Sequence, residues 1–425
     1  MTDPFAIDRR QYSRDMLVVF LGAVVLRLLY VMLWQKGLPP DTDSYRQIAE
    51  NLISGKDFSL ALGVPTAYRA PLYPLFVAAV ELFFHNPLAL MVAQAVASAS
   101  IVFLAARLAR NIVGDLFSLA AAALVAVDPY GIAVSGQLMT EAFFSLLVTV
   151  AVVALVWAMR TNSLSRYAAA GLAAGAAAIT RPEFLAFAPG AVVVAAIWGR
   201  PRRRLLSALA FLVAMALLPA AWGVRNDRAL GRWVFTTTHG GYTHRLAYNS
   251  VFYDKVVAGP DDVWNPEDLA SWQKRLVDES EGMSEVSRDR LNYRMASGFV
   301  DADKRRALRV ALYEVSSFWR PYPHGASRVV SAGMALFFAG LVVLAIVGVY
   351  VAWRRSAVAP LVVCILLAET LIHAYYWSNV RMRIPFDPLL AVLAAVGLAT
   401  LFGRRLIIGE PAKAAREGTL YSPAV

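Results

Sequence analysis

The chain has 425 residues, of which 58% are hydrophobic and only 17% charged, and its mean hydropathy is +0.53. This composition is far from that of soluble proteins and indicates the membrane class. The net charge of +11 does not indicate a nucleic-acid-binding surface, because the basic residues form short runs between apolar segments, without a polar face of interleaved aromatics. The single cysteine, Cys364, excludes a disulfide framework or a cysteine-based metal site within one chain.

Ten apolar segments are interpreted as membrane spans, because about 20 apolar residues are enough to cross the hydrocarbon layer. The first segment is too long for the core of a signal peptide, and no small-residue cleavage site follows it, so we expect it to remain as an anchor. A further apolar stretch at 71–84 is shorter and is rich in proline at its start. The predicted spans are residues 16–35, 88–107, 115–133, 141–159, 167–182, 184–199, 205–223, 329–353, 357–377 and 388–403.

Positive charge decides whether residues 71–84 cross the membrane. If they do not cross and the N-terminus is cytoplasmic, the arginine-rich connections fall on the cytoplasmic side. If residues 71–84 do cross, most of these connections face outward, and leaving out the short segment 167–182 instead gives similar violations. We therefore predict an all-α polytopic membrane protein with ten transmembrane helices, cytoplasmic termini and 71–84 as an interfacial helix on the outer face. The arginines assigned to the cytoplasmic side are Arg9, Arg10, Arg14, Arg107, Arg110, Arg160, Arg166, Arg200, Arg202, Arg203, Arg204, Arg354, Arg355, Arg404 and Arg405.

This topology leaves two large regions on the outer face. The first holds an acidic turn, a predicted amphipathic helix at 44–54 and the interfacial helix. The second is polar and aromatic, with predicted helices at 267–281 and 303–319, and is too long for a simple connector, so we expect a small cap. The predicted parts are an N-terminal transmembrane module (1–223) that includes the outer loop (36–87), the cap (224–327), C-terminal transmembrane helices (328–404) and a cytoplasmic tail (405–425).

Two carboxylates, Asp41 and Asp43, stand just beyond the first span in a chain that is otherwise short of charge. Group transfer onto a hydroxyl or amine needs a base that takes the acceptor proton, and a carboxylate is a usual choice. Either aspartate could instead cap the helix that follows. We favour Asp41 as the catalytic base and keep Asp43 as the second candidate.

Arg69 and Glu141 are candidate substrate-binding residues at the outer ends of apolar segments. A guanidinium at headgroup depth can hold a phosphate by two parallel hydrogen bonds, although it could also reach generic lipid headgroups. Glu141 opens the predicted fourth span, where it could orient a substrate or provide a favourable charge at a helix N-terminus.

Three arginines depart from the charge pattern because the topology places them outside. Arg181 joins the fifth and sixth predicted spans with Glu183 beside it, and Arg381 and Arg383 join the last two. Positive charge at that depth suggests phosphate binding or ion pairs. We therefore include all four residues among the candidate substrate-binding residues.

Two further groups of polar residues invite interpretation. His239 and His244 flank a Gly-Gly pair with no third ligand nearby, so a loop lining the substrate site, with His239 in it, is favoured over a zinc site. No metal ligand is therefore predicted. Within the spans, Arg27 and Glu369 could pair with one another.

Together these residues resemble the GT-C superfamily of membrane glycosyltransferases, in the branch of protein O-mannosyltransferases and the bacterial aminoarabinose transferase of lipid A. The resemblance covers roughly residues 16–400. The acidic turn Asp41-Thr42-Asp43-Ser44-Tyr45 is similar to the family's first outer loop, with Asp41 at the catalytic position, although relatives often have Glu at the position of Thr42. Arg69-Ala70-Pro71-Leu72-Tyr73 is similar to a basic-Pro-Tyr segment whose basic residue contacts the carrier phosphate. Further similar segments are Thr140-Glu141, Thr180-Arg181-Pro182, Trp222-Gly223-Val224-Arg225-Asn226, Thr237-Thr238-His239-Gly240-Gly241 and Arg383-Ile384-Pro385-Phe386-Asp387-Pro388.

The resemblance implies an inverting glycosyltransferase of a bacterial inner membrane. Such enzymes, hexosyl- or pentosyltransferases, move a sugar from a polyprenyl-phosphate donor to an extracytoplasmic lipid, glycan or protein. No cofactor is obligatory, and a divalent cation is left open. It also places Tyr45 and Tyr73 among the substrate-binding residues. The alternative from the residues alone is a transporter or flippase of lipid-linked sugars, which would often show paired halves and broken helices with polar residues at the midplane.

Overall fold

The computed structural model describes residues 7–35, 39–61, 63–199 and 203–403, and its regular elements are almost all helices. Four of the arginines used for topology (Arg200, Arg202, Arg404, Arg405) and the predicted tail lie outside these residues. The helices are α1 (Arg9–Tyr30), α2 (Tyr45–Ile53), α3 (Leu72–Phe84), α4 (Pro87–Val113), α5 (Asp115–Val127), α6 (Pro129–Ser135), α7 (Glu141–Thr161), α8 (Leu164–Ala178), α9 (Phe187–Trp198), α10 (Arg204–Leu230), α11 (Gly240–Ala247), α12 (Ser250–Phe252), α13 (Pro266–Glu279), α14 (Glu285–Ala302), α15 (Lys304–Phe318), α16 (Arg328–Ala352), α17 (Val358–Tyr375) and α18 (Asp387–Leu401). A two-stranded antiparallel sheet, β1 (Ser59–Ala61) and β2 (Val64–Pro65), follows α2.

Several of these helices are apolar enough to cross a membrane, which confirms an all-α polytopic membrane protein. Among the described residues, seven helices meet the length and composition of a span, and the pair α5 and α6, bent by 53°, would make an eighth. The predicted count of ten is not confirmed. Predicted spans 167–182 and 184–199 correspond to α8 and α9, which are only 15 and 12 residues long. The spans are Arg9–Leu33, Leu88–Val113, Glu141–Thr161, Arg204–Leu230, Arg328–Ala352, Val358–Tyr375 and Val380–Leu401.

Small residues let neighbouring helices approach closely. A methyl group on Gly171 of α8 would lie 2.2 Å from the carbonyl oxygen of Phe211 in α10, and one on Gly348 of α16 would lie 1.9 Å from that of Leu393 in α18. Side chains at these positions would force the helix backbones apart, as expected where small residues line helix contacts. The main core is continuous across α1, α4, α5, α7 to α10 and α15 to α18, with α18 buried on nearly every side.

A second group of helices, α11 to α15, has its own aromatic core. Trp264, Trp272, Phe252 and Tyr253 are buried together there. The predicted helices at 267–281 and 303–319 are present as α13 and α15, whereas the apolar residues of α14 are spread around the helix and do not form the one-sided pattern of those two helices. The boundaries of the cap remain a prediction.

Arg27 and Glu369 do not pair in the structure. The guanidinium of Arg27 donates to the Ser98 hydroxyl at 2.9 Å and to carbonyl oxygens of α1 and α5. Backbone and hydroxyl acceptors therefore satisfy this buried arginine, while Glu369 lies in a different part of the bundle, beside His373.

Candidate active site

The acidic turn ends at the first residue of α2, and Asp41 holds it there. One carboxylate oxygen of Asp41 accepts the backbone N–H of Tyr45 at 2.8 Å, and the other accepts that of Gln47 at 2.9 Å. Ser44 completes the turn in the left-handed region at φ 60°. Asp41 thus caps α2 and is fixed at the positive end of that helix.

Asp43 has a different partner, Arg69. The Arg69 Nη2 atom lies 2.6 Å from the Asp43 carboxylate, and Nε donates to the Asp43 carbonyl oxygen at 2.9 Å. The guanidinium carbon lies 5.3 Å from the ring centre of Tyr45 and 4.8 Å from that of Tyr68. Burial alone would lower the pKa of Arg69, but Tyr45 and Asp43 outweigh it and raise that pKa. Arg69 is therefore a permanent, oriented cation beside the acidic turn.

Two tyrosines form the wall between α2 and α3. The rings of Tyr45 and Tyr73 meet edge to face with centroids 4.9 Å apart, and both are buried. The Tyr73 hydroxyl donates to the Gln94 side chain at 2.5 Å. Burial raises the pKa of Tyr45 to about 12, so its hydroxyl stays protonated. These contacts fix the distance between the acidic turn and the transmembrane helices.

His239 lies near Arg69. Its ring is 4.6 Å from that of Tyr68 and 5.0 Å from that of Tyr242. Burial, and then the nearby Arg69, lower its pKa well below the usual value, so the imidazole is neutral. His244 instead stacks on Tyr375 at 3.9 Å, so the two histidines have different surroundings and do not form a shared site.

Glu285, which the sequence analysis missed, ties this region to α14. Its carboxylate accepts the Thr66 hydroxyl at 2.5 Å and the Ala67 N–H at 2.9 Å, and it also accepts the Thr238 hydroxyl. The segment before Arg69 and the segment before His239 are therefore held by one side chain. No local signal marks this residue, because its partners are distant in sequence.

A second charged group is centred on Glu141 at the start of α7. One of its oxygens lies 3.1 Å from Arg181 Nη1 and 3.1 Å from Arg381 Nε. Arg181 also pairs with Glu183 and donates to the Met382 sulfur at 2.7 Å. The side chain of Glu141 is 2% exposed, whereas that of Arg381 is 25% exposed. The charges of Arg69, Asp43, Glu141 and Arg181 all contribute to the pKa of Tyr45. Tyr45 therefore lies between this charged group and the acidic turn.

A cavity of about 710 Å³ adjoins the charged group at Arg381. Its walls are mostly apolar and come from the end of α1, from α6, from the start of α16 and from the loop before it. The lining residues are Tyr30, Pro129, Tyr130, Ala133, Val134, Gln137, Pro323, Ala326, Ser327, Val330, Met334 and Arg381. Arg381 is the one ionisable cation among them.

Arg383, also a candidate, does not join this group in the structure. Its buried guanidinium binds Asp387 at 3.1 Å, donates to the Arg320 carbonyl oxygen at 2.8 Å and lies 3.6 Å from the Phe338 ring centre. These partners are those of a structural ion pair. Of the other candidates, the structure brings Asp41, Asp43, Tyr45, Arg69, Tyr73 and His239 together around the acidic turn and Glu141, Arg181, Glu183 and Arg381 around α7.

Residues 68–222 match a protein-family model described as dolichyl-phosphate-mannose-protein mannosyltransferase. No curated protein matches the chain by sequence.

Solved structures share the fold. The Archaeoglobus fulgidus oligosaccharyltransferase in its apo form overlaps 93% of this chain at 15% identity, with a TM-score of 0.57. The same enzyme with an inhibitory peptide and a dolichol-phosphate overlaps 92% at 14% identity and a TM-score of 0.54. The chain spans about half the length of that enzyme, 51% and 50% in the two structures.

ArnT from Cupriavidus metallidurans bound to undecaprenyl phosphate overlaps 92% of this chain and 77% of its own, at 14% identity. Its TM-score of 0.40 is too low to bear on the geometry. From the family match and the oligosaccharyltransferase fold, the chain has the GT-C fold of membrane glycosyltransferases, as the resemblance in its motifs predicts.

Proposed function

We propose that this chain is an inverting glycosyltransferase that takes a sugar from a polyprenyl-phosphate donor and gives it to an extracytoplasmic acceptor. The observation that carries the proposal is the apolar cavity that adjoins a partly exposed arginine, Arg381, beside the paired charges of Glu141 and Arg181. A nucleotide sugar has no hydrocarbon chain to fill such a cavity, whereas a polyprenyl chain would bury apolar surface there. The dolichol-phosphate bound by the structurally similar oligosaccharyltransferase supports the same class of donor.

In this proposal the donor phosphate lies at the polar end of the cavity. The side chain of Arg381 is partly exposed there, and its Nε lies 3.1 Å from the Glu141 carboxylate. A guanidinium can donate two parallel hydrogen bonds to phosphate oxygens and offset the charge that grows on them as the sugar leaves. Arg69, which Asp43 holds in place, is the second cation that would stabilise the negative charge on the leaving phosphate.

Asp41 is the proposed general base. Two backbone N–H groups orient its carboxylate, whereas the Asp43 carboxylate is engaged in an ion pair with Arg69. As the acceptor oxygen or nitrogen bonds to the anomeric carbon, Asp41 takes its proton and the bond from that carbon to the phosphate oxygen breaks. The polyprenyl phosphate leaves with the bonding electrons, and the configuration at the anomeric carbon is inverted.

The proposed site faces outward from a bacterial inner membrane, with the termini inside. This orientation rests on the arginine pattern of the connections. It is tested by placing a cysteine at exposed Asp262 in a variant without Cys364 and labelling intact cells with a membrane-impermeant maleimide. Labelling from outside is expected. A probe at this position that reacts only after the cells are opened contradicts the orientation.

Mass spectrometry of envelope lipids, glycans and proteins from a deletion strain tests the function directly. We expect one glycoconjugate to lose a sugar, the matching polyprenyl-phosphate sugar to accumulate, and wild-type but not Asp41→Asn protein to restore the product. If the sugar-modified products are unchanged, the glycosyltransferase proposal is wrong. If the lipid-linked sugar accumulates only on the inner leaflet and Asp41→Asn restores the strain, a flippase explains the data better.

A further inference from the structure

Three side chains with metal-ligand chemistry meet behind Arg181. Glu183 lies in the short helical turn Pro182–Ala186, and Glu369 and His373 lie one turn apart on α17. One oxygen of each glutamate and one nitrogen of the histidine lie within 4.8 Å of one another. Residues four apart share a face of a helix, so α17 presents both groups to the same point.

Glu369 and His373 are buried without hydrogen bonds from the described part of the chain. Both oxygens of Glu369 and both nitrogens of His373 lack a partner there, and these side chains are 1% and 5% exposed. Their nearest approach to one another is 3.9 Å, too long for a hydrogen bond. The Phe318 ring stacks on His373 at 4.9 Å and fixes the imidazole plane. Buried polar groups normally have partners, so this arrangement calls for a ligand.

The charge of the surrounding group also favours a cation. Three carboxylates, those of Glu141, Glu183 and Glu369, face two guanidiniums, those of Arg181 and Arg381. If all three carboxylates are ionised, the group has one excess negative charge in a buried setting, and a bound cation would compensate it. Arg181 is already engaged by Glu141 and Glu183 and does not reach Glu369 with an ion pair.

We propose that Glu183, Glu369 and His373 bind a divalent transition-metal ion, with Zn²⁺ the best match. One imidazole and two carboxylates suit zinc, which takes nitrogen and oxygen ligands at about 2.0–2.2 Å and leaves a fourth position for water. The ligand atoms now lie within 4.8 Å of one another, and they would move closer together on binding the ion. The ion would fasten the Pro182–Ala186 turn to α17 and so hold Arg181 in place. This site does not depend on the identity of the donor or acceptor.

Zinc binding to the full-length protein tests the proposal. The purified protein in lipid nanodiscs is treated with a chelator, dialysed against ZnCl₂ and analysed for bound metal by mass spectrometry. We expect about one zinc per chain, and Glu369→Gln and His373→Gln should each weaken binding at least tenfold (on the order of the loss expected for a metal-site residue). Two matched controls, His244→Gln and Glu314→Gln, should bind zinc like the wild type. His244 and Glu314 are also buried and have unpartnered atoms, but they lie outside the cluster.

X-ray absorption of the zinc-loaded wild type keeps the test independent of how the variants fold. The expected spectrum has one imidazole, a first shell of oxygen and nitrogen at about 2.0–2.1 Å, and no sulfur. The proposal is overturned by a wild type that binds no zinc saturably, by a spectrum with two or more imidazoles or with sulfur, or by controls that lose zinc as much as the cluster variants.

Discussion

The change Asp41→Asn separates catalysis from helix capping. Asparagine is nearly isosteric with aspartate and keeps one oxygen, so it can still accept one of the two backbone N–H groups that Asp41 binds at 2.8 and 2.9 Å. Losing the other bond should cost about 1 kcal/mol of folding free energy, which is the usual size of a cap effect. For a chain of this length that shifts the unfolding temperature by at most a few degrees.

The rate should fall much further if Asp41 is the base. Losing a positioned general base typically lowers the rate about 10²- to 10⁴-fold, which is about 3–5 kcal/mol of activation free energy. The assay is the initial rate of polyprenyl-phosphate release by protein in nanodiscs, with binding of the lipid donor measured separately. Asp43→Asn should keep measurable activity, because it weakens the support of Arg69 and leaves Asp41 intact.

Asp303→Asn is a control for replacing a capping aspartate outside the proposed site. Asp303 caps α15 by accepting two backbone N–H groups, from Arg305 at 2.9 Å and Arg306 at 3.1 Å, far from the acidic turn in sequence. Both bonds go to the same oxygen, Oδ1, which asparagine keeps, so this variant should lose less stability than Asp41→Asn and no activity. If Asp41→Asn transfers sugar within about threefold of wild type, far short of the loss of a base, Asp41 is only a cap. If Asp43→Asn alone is inactive, Asp43 is the base.

Three further variants test other parts of the site. Arg381→Gln should raise the half-saturating donor concentration about 10- to 100-fold. Arg383→Gln should mainly lower the unfolding temperature, because it leaves Asp387 unpaired. Equal effects of the two variants on donor binding would contradict a binding role for Arg381 and a structural role for Arg383. Glu285→Ala should lower the transfer rate on the order of tenfold, because it loosens the loop before Arg69. Glu285→Gln should keep part of the lost rate. An unchanged rate in Glu285→Ala would contradict a positioning role for Glu285. Burial lowers the pKa of His244 to about 4, so between about pH 6.5 and pH 4 this imidazole is protonated in the unfolded chain only, and the folded state loses stability as the pH is lowered. His244→Phe should therefore show a smaller fall in unfolding temperature between pH 7 and pH 5 than the wild type. Parallel curves of unfolding temperature against pH for the two proteins would contradict this.

The helices could largely be predicted because their apolar runs are long and continuous. The acidic turn before α2 and the helix at 72–84 are likewise where the sequence indicates. The number of spans could not be derived in this way. The Gly- and Ala-rich α8 is short and packs against α10 within the bundle, so its hydropathy reports burial in protein as much as contact with lipid.

Side-chain partners were harder to predict than helices. The charge pattern singled out Arg181, Arg381 and Arg383 alike, but only the structure shows that Arg383 is neutralised by Asp387. The spacing of four residues between them was a local signal for that pair. Glu285 had no such signal, since its partner Ala67 is 218 positions away. Pairings across that distance depend on how the helices pack.

The central claim is that the donor is a polyprenyl-phosphate sugar, and the most direct measurement is donor choice. Purified protein in nanodiscs is given labelled undecaprenyl-phosphate hexoses and pentoses, or the matching nucleotide sugars, with envelope extract from the deletion strain as acceptor. We expect the wild type to transfer label from one lipid-linked sugar and to release undecaprenyl phosphate, and Asp41→Asn to do neither. Transfer from a nucleotide sugar in the absence of any lipid carrier would contradict the account.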